Sequence, residues 1–328
     1  MGVTINGYAL AGELSAQNAG FCQWGFCQKD GREYFIKEFL SPVYPADNPE
    51  LSAKIIERKR KACDDFFENK KAFYEVLSRC RSGNNILIED FFRSGTKYYI
   101  VTDKVEADGT DPEMISILQR DKKEAFIRSV LYSISLLHGA GLVHADLKPD
   151  NILLKKTSEG YYAAKIIDFD AGFIAGRIPS EIQGDFIYLA PEVYLRINEE
   201  DVSIDEKIDI FALGILFHQY WTGKLPKVSG NHRYAFEAVL DEDPIELSDD
   251  LPSDLKENIS RMLFRNPADR PSARQLLDSY RAKDQLLFDT FKEPDPIPAI
   301  PIVPQPASDA PVSRVKKSPG FYVPKDLD

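Results

Sequence analysis

The stretch Leu142–Leu154, LVHADLKPDNILL, sets an Asp, a Lys and an Asn between two apolar runs. Asp146 and Lys148 stand two residues apart, and Asn151 follows in the same short polar island. Such a trio suits phosphoryl transfer, in which the protein does little covalent work and catalysis is mostly positioning and charge neutralisation. That chemistry asks for acids on metal, bases on phosphate and one carboxylate at the nucleophile.

Upstream, from Tyr8 to Phe39, the chain reads as short strands broken by turns: YALAGELS, GFCQWGFCQ and EYFIKEF, with Asp30-Gly31 as a hairpin turn. Residues 41–61 begin as a Pro-containing loop and end in a basic run that reads as a solvated helix face. A helix is expected from about Asp64 to Cys80, then two strands, NILIEDFF and KYYIVTDKV. Beyond Asp108-Gly109 helical periodicity takes over, in KKEAFIRSVLYSISLLHGAG, IDIFALGILFHQYWTG and NISRMLFRNPADRPSARQLLDSYRAKD. The expectation is a strand-rich lobe over about 8–104 and a larger helical lobe over about 105–288.

Past Phe288 the composition changes. Nine of the 21 prolines fall between Pro294 and Pro324, which excludes regular helix or sheet there. The tail, 289–328, is expected to be extended, with Ile297, Ile300, Ile302 and Val303 available to dock on its own domain or on a partner.

Composition narrows the function classes. With 328 residues, 43% hydrophobic and 28% charged, the chain can bury a sizeable core. A net charge of −11 argues against a nucleic-acid binder, which needs a net basic surface. The four cysteines show neither CxxC nor metal spacing with the four histidines, and read as small buried hydrophobes in a reducing cytoplasm. No apolar run approaches the roughly 20 residues of a membrane span, and the first ten residues lack a charged signal-like start. A soluble, cytoplasmic protein with no membrane contact is expected.

Several motifs in one order carry a resemblance. HADLKPDN (144–151), DFD (168–170), APE (190–192), IDIFALG (208–214) and RNPADRPSA (265–273) together resemble a eukaryotic-type Ser/Thr protein kinase over roughly Tyr8 to Phe288. The resemblance implies an α+β, two-lobed kinase-like fold: an antiparallel sheet with one major helix, then a helical lobe. It also implies ATP and Mg²⁺ as cofactors and a protein hydroxyl as acceptor. Asp146 would accept or orient that hydroxyl, and Lys148 can reach the same side and the transferring phosphate. Asn151 and Asp168 would supply the oxygen ligands that Mg²⁺ prefers. Lys37, mid-strand in YFIKEF, would bind the α and β phosphates, which explains an ammonium pointing inward. Around the nucleotide the resemblance places Gly20, Cys22, Phe35, Thr102, Asp103, Val105 and Leu153, with Thr102 as a small gatekeeper. LKPDN after Asp146 favours Ser/Thr over Tyr acceptors.

The same motifs show departures. Phe35 takes the place of a small Ala over the base, where it must stack on the ring or partly fill its pocket. In LSAQNAGFC, Ser15 and Gln17 replace two of three glycines and only Gly20 survives, so a looser backbone approach to the phosphates is expected, because non-glycine residues restrict the turn. At 100° per residue Glu68 and Glu75 fall opposite the stripe Phe66, Phe73 and Leu77, so neither is presented to Lys37 if the helix is regular. Asp170 replaces the Gly of DFG, and Asp185, where a Thr is usual, could pair with Lys148. Ala145 replaces an Arg that reads a phosphate on the activation segment, so regulation by another route is expected. His144 is expected to pack under the metal loop with Phe169, Asp209 to hold the amides of the 144–146 turn, and Glu192 to pair with Arg270. The alternative is a pseudokinase, a nucleotide-binding scaffold whose partners bind the tail.

Overall fold

The computed structural model describes residues 3–17, 22–46, 52–80, 84–157, 160, 162–179, 182, 184–198 and 200–281. Gly20, Ser180 and the tail 289–328 lie outside them. Two compact units result, one of 3–80 with 86–106 and one of 84–85 with 107–281.

The first unit is an antiparallel sheet of β1 (Thr4–Ile5), β2 (Tyr8–Leu10), β3 (Cys22–Lys29), β4 (Arg32–Phe39), β5 (Ile88–Ser94) and β6 (Lys97–Asp103), in the order β1-β2-β3-β4-β6-β5. At the expected hairpin turn Asp30 and Gly31 both adopt positive φ, 52° and 79°, which matches the right-handed twist of the flanking strands. Asn6 and Gly7, at 48° and 85°, repeat the device between β1 and β2, a strand pair that reading from Tyr8 onward overlooks. YALAGELS is a strand only over its first three residues.

Period-two alternation sends Tyr34 and Ile36 of β4 to one face, where they form a core with Tyr8, Cys27, Phe92, Tyr99 and Val101. Phe35, Lys37 and Phe39 take the other face. Helix α1 (Ala53–Leu77) packs there, its Phe66 ring 5.6 Å from Phe39 and 5.2 Å from Tyr98, and its Phe67 stacked 5.2 Å from Phe91. The helix starts well before the expected Asp64. Ser52 caps it, its hydroxyl accepting from the Ile55 amide, and the good helix formers of the basic run carry it on.

The second unit holds α2 (Pro112–Ser116), α3 (Arg120–Gly139), β7 (Leu142–Val143), β8 (Ile152–Lys156), β9 (Tyr162–Ile166), β10 (Phe173–Ile174), α4 (Pro191–Ile197), α5 (Lys207–Thr222), β11 (Lys227–Val228), α6 (Ala235–Leu240), β12 (Ile245–Glu246), α7 (Ser253–Met262) and α8 (Ala273–Arg281). α5 is buried nearly all round, as its unbroken apolar run requires, and ends on Gly223 in the left-handed region, φ 76°. The last periodic stretch splits into α7 and α8. Pro267 and Pro271 interrupt the helix between them.

Two small strand pairs position the segment Leu142–Leu154. β7 pairs with β10, and β8 with β9, so the residues 144–151 leave one fixed ladder and enter another. All four cysteines are buried outside any disulfide, and burial pushes Cys27 and Cys80 up to about 11. Among the described residues no helix is long and apolar enough to cross a membrane.

Candidate active site

In the second unit, the loop 144–151 is built on one buried carboxylate. Asp209, near the start of α5, accepts from the backbone amides of His144 (2.8 Å) and Ala145 (2.9 Å) and from Nε2 of His138 (3.0 Å). Burial would raise its carboxyl, but these donors outweigh that and hold it below the ordinary carboxylate range. The bonds keep Ala145 at φ 65°, a region that non-glycine residues rarely occupy. Asp168 sits at φ 59° in the same region, so both key segments carry backbone strain.

His144 packs beneath. Its ring lies 4.7 Å from that of Phe169, Nε2 donates to the Ile167 carbonyl at 3.0 Å, and Nδ1 accepts from the Asp146 amide at 3.3 Å. Both ring nitrogens are thus committed to backbone partners, and the residue is structural.

Asp146, Lys148 and Asn151 interlock. The Lys148 ammonium lies 2.8 Å from Asp146 Oδ2, and Asn151 Nδ2 donates to the Asp146 carbonyl (2.7 Å) and to Oδ2 (3.1 Å). With Nδ2 spent in this way, Oδ1 of Asn151 is the atom that can face a cation. Burial pushes the Asp146 carboxyl up, against the pull of Lys148, while Asp168 adds to the rise. Burial alone would lower Lys148, yet Asp146, Asp185 and Asp168 hold its proton more firmly and the net direction is up. Three carboxylates thus share the field of one ammonium. Asp185 also accepts from the Ile187 amide at 2.9 Å. Leu153 is half-buried on β8.

In the first unit, Lys37 is buried mid-strand on β4, opposite Trp24 on β3 and Ile100 on β6. Cys22, Phe35 and Thr102 share its face, Phe35 being directly opposite Phe26 and Thr102. Phe35 is part of an aromatic cluster that sequence reasoning missed: Trp24 stacks on it at 5.7 Å and 25°, and Phe26 meets it edge-on at 6.0 Å. The alternation of Trp24 with Phe26 on β3 was the available signal. Ser15 exchanges two backbone bonds with Trp24 (2.7 and 2.9 Å), and the Trp24 indole donates to the Gln17 carbonyl at 2.8 Å. At these two glycine-replacing positions the chain is therefore fastened to β3.

Of the residues expected around the nucleotide, Asp103 spends its amide on the Leu87 carbonyl (3.1 Å), and its own carbonyl accepts the Thr102 hydroxyl (3.3 Å). Val105 is half-buried. Glu68 and Glu75 are both exposed on α1, as their spacing implied, and the Lys70 ammonium lies over the rings of Phe73 and Tyr74. His138, missed in the sequence, carries no local pattern: only folding brings it to Asp209, 71 residues away.

Glu192 and Arg270 form a buried two-pronged pair, with Nη1 2.6 Å from Oε1 and Nη2 2.8 Å from Oε2.

Known proteins share this arrangement of sequence. Sperm motility kinase Z of Mus musculus is 32% identical over 162 residues, 49% of this chain and 31% of that protein. Protein kinase kin1 of Schizosaccharomyces pombe is 26% identical over 281 residues, 84% of this chain and 30% of its own. Myosin light chain kinase A of Dictyostelium discoideum is 24% identical over 260 residues, covering 75% and 86%. The chain thus spans less than a third of the length of the first two. The family model described as Protein kinase domain matches residues 43–280, and with it the chain belongs to the protein kinase family.

Proposed function

We propose that the chain is a catalytically active, cytoplasmic Ser/Thr protein kinase that uses ATP and Mg²⁺. The observation that carries this reading is the interlocked set of Asp146, Lys148 and Asn151, held on a strained loop by the buried Asp209. Strain of this kind persists where surrounding structure over-determines it, as at reacting centres. Asp146 is the group that orients the acceptor hydroxyl and takes up its proton; Lys148 steadies Asp146 and neutralises charge on the transferring group. Asn151 through Oδ1 and Asp168 through its carboxylate are the Mg²⁺ ligands, the ion supplying neutralisation of phosphate charge. Lys37 takes the α and β phosphates. Gly20 belongs to the loop over the phosphates, and Cys22, Phe35, Thr102, Asp103, Val105 and Leu153 surround the base. The lobes are taken as about 8–104 and 105–288, and the tail 289–328 as a docking segment for its own domain or a partner.

Incubating the purified chain with Mg²⁺ and γ-labelled ATP is expected to place label on Ser or Thr, with Ser308, Ser313 and Ser318 the first sites to inspect. Asp168→Asn should abolish the label. A wild type silent with every divalent metal tried would leave the scaffold reading. One observation favours that alternative: Phe35 is already stacked by Trp24, which narrows the space beside Lys37. Nucleotide titration followed by Trp24 fluorescence separates binding from chemistry.

The charges around Asp146 predict a pH effect. Lys148 pulls its carboxyl down. In Lys148→Met that pull is gone, so the carboxyl rises further and stays protonated to higher pH. Because the working form is the carboxylate, the acid limb of the kcat/KM profile should move to higher pH. An unmoved limb would remove Asp146 as the base.

A further inference from the structure

On the reading of residues 170–191 as the activation segment, which belongs to the proposed function, we infer that its second half is fastened in place by an aromatic clamp on Phe186 and needs no phosphate to order it. The Phe186 ring stacks on Tyr234 at 5.6 Å and 28° and lies 6.0 Å from Phe236. Those two rings are themselves stacked at 5.6 Å and 9°, and Tyr194 of α4 lies 4.7 Å from Phe236. Aromatic groups at the start of α6, backed by Tyr194 of α4, therefore receive a ring from the segment.

The receiving side is rigid. Glu237 Oε2 accepts from the amides of Arg233 (2.8 Å) and Tyr234 (2.9 Å), which fixes the entry to α6, and the Arg233 guanidinium covers the Tyr234 ring. On the segment itself, the Asp185 carboxylate and carbonyl accept from the amides of Ile187 (2.9 Å) and Tyr188 (3.0 Å), folding it into a turn that projects Phe186. Tyr188 is buried and its hydroxyl donates to Gln219 on α5 at 2.8 Å. A Cβ on Gly184 would meet Leu189 at 3.1 Å and the Ala145 carbonyl at 3.7 Å, so the segment lies directly against the loop that carries Asp146.

Among the described residues, 184–189 is held by ring stacking and hydrogen bonds. Ala145 offers a methyl group where a cation would be needed. Tyr188, the one hydroxyl of 170–191 among the described residues, is already bonded and buried, and its ionisation is pushed far up by that burial. Ring stacking supplies what a phosphate–Arg pair would supply: a fixed path from Gly184 to Leu189, with Gly184 and Asp185 lining one small cavity with Ala145 and Asp146. Phe186 and Tyr234 are positioning residues. They act on transfer through the segment and not by touching the reacting atoms.

Amide hydrogen exchange on the full chain tests this without relying on activity. In Phe186→Ala the amides of Ile187–Leu189 are expected to exchange at least about tenfold faster, the loss of one well-packed ring contact. Tyr234→Ala should act in the same direction from the opposite side, and the double variant should be no worse than Phe186→Ala alone, because the Phe186–Tyr234 contact is already lost there. Phe186→Tyr keeps the ring and should keep protection. Where turnover is measured, kcat falls in both Ala variants while KM for ATP stays. Phosphatase-treated wild type should retain full protection. Unchanged exchange in Phe186→Ala, strictly additive variants, or a wild type loosened by phosphatase would each overturn the clamp. If the wild type transfers no phosphate at all, the exchange results still decide it.

Discussion

Asp146→Asn is expected to lower phosphotransfer by about 10²- to 10⁴-fold, the range for losing a positioned general base. The substitution is nearly isosteric, and the Asn amide oxygen can still accept from Asn151 Nδ2, which lies 3.1 Å from Oδ2 in the wild type. What disappears is the carboxylate that, on the proposed function, takes the acceptor proton. Lys148 keeps an acceptor there but loses the negative charge of the partner at 2.8 Å, while Asp185 and Asp168 remain near enough to hold its charge, so the loop should keep its form. The backbone bonds from His144 and Ala145 to Asp209 are untouched. The check is a steady-state assay beside a thermal melt: activity should collapse with the melting temperature within a few degrees of wild type. Activity above a tenth of wild type would take the proton-accepting role away from Asp146.

The second large effect concerns stability. Arg270→Met is expected to cost about 3–5 kcal/mol, the range for breaking a buried ion pair from one side. Every donor of that guanidinium is engaged: Nε on the Phe264 carbonyl (2.7 Å), Nη1 on Glu192 and the Lys207 carbonyl (3.0 Å), Nη2 on Glu192 and the Arg265 carbonyl (3.1 Å). Removing it leaves the Glu192 carboxylate, 3% exposed, with no cation, and strips partners from three carbonyls. The double variant Glu192→Leu with Arg270→Met should recover part of the loss, since no charge is then stranded. Urea unfolding of the three variants reads this directly. A double variant as unstable as the sum of the singles would mean that packing against Phe211, over whose ring the guanidinium lies at 5.0 Å, outweighs the charge.

Some of the molecule was plain in the amino-acid order. Asp30-Gly31 named its hairpin because two successive positive φ values leave few residue choices. The apolar run of α5 and the Asp-x-Lys-x-x-Asn spacing are equally local, each property being carried by residues within one or two turns of chain. The start of α1 was less legible. Its basic run hides the apolar spacing, and a single capping Ser52 sets the boundary.

What the order of residues determined, then, is the family and the identity of the polar groups, because phosphoryl transfer needs those groups a few residues apart and a short peptide can specify them. Tertiary structure alone decided how they are held. His138 reaches Asp209, Trp24 covers Phe35, and Tyr234 receives Phe186, through contacts that bridge turns or long stretches of chain. Such contacts depend on the faces that strands and helices present after packing. Close-packed interiors accept a ring only where several elements leave matching space, and no local periodicity records that space.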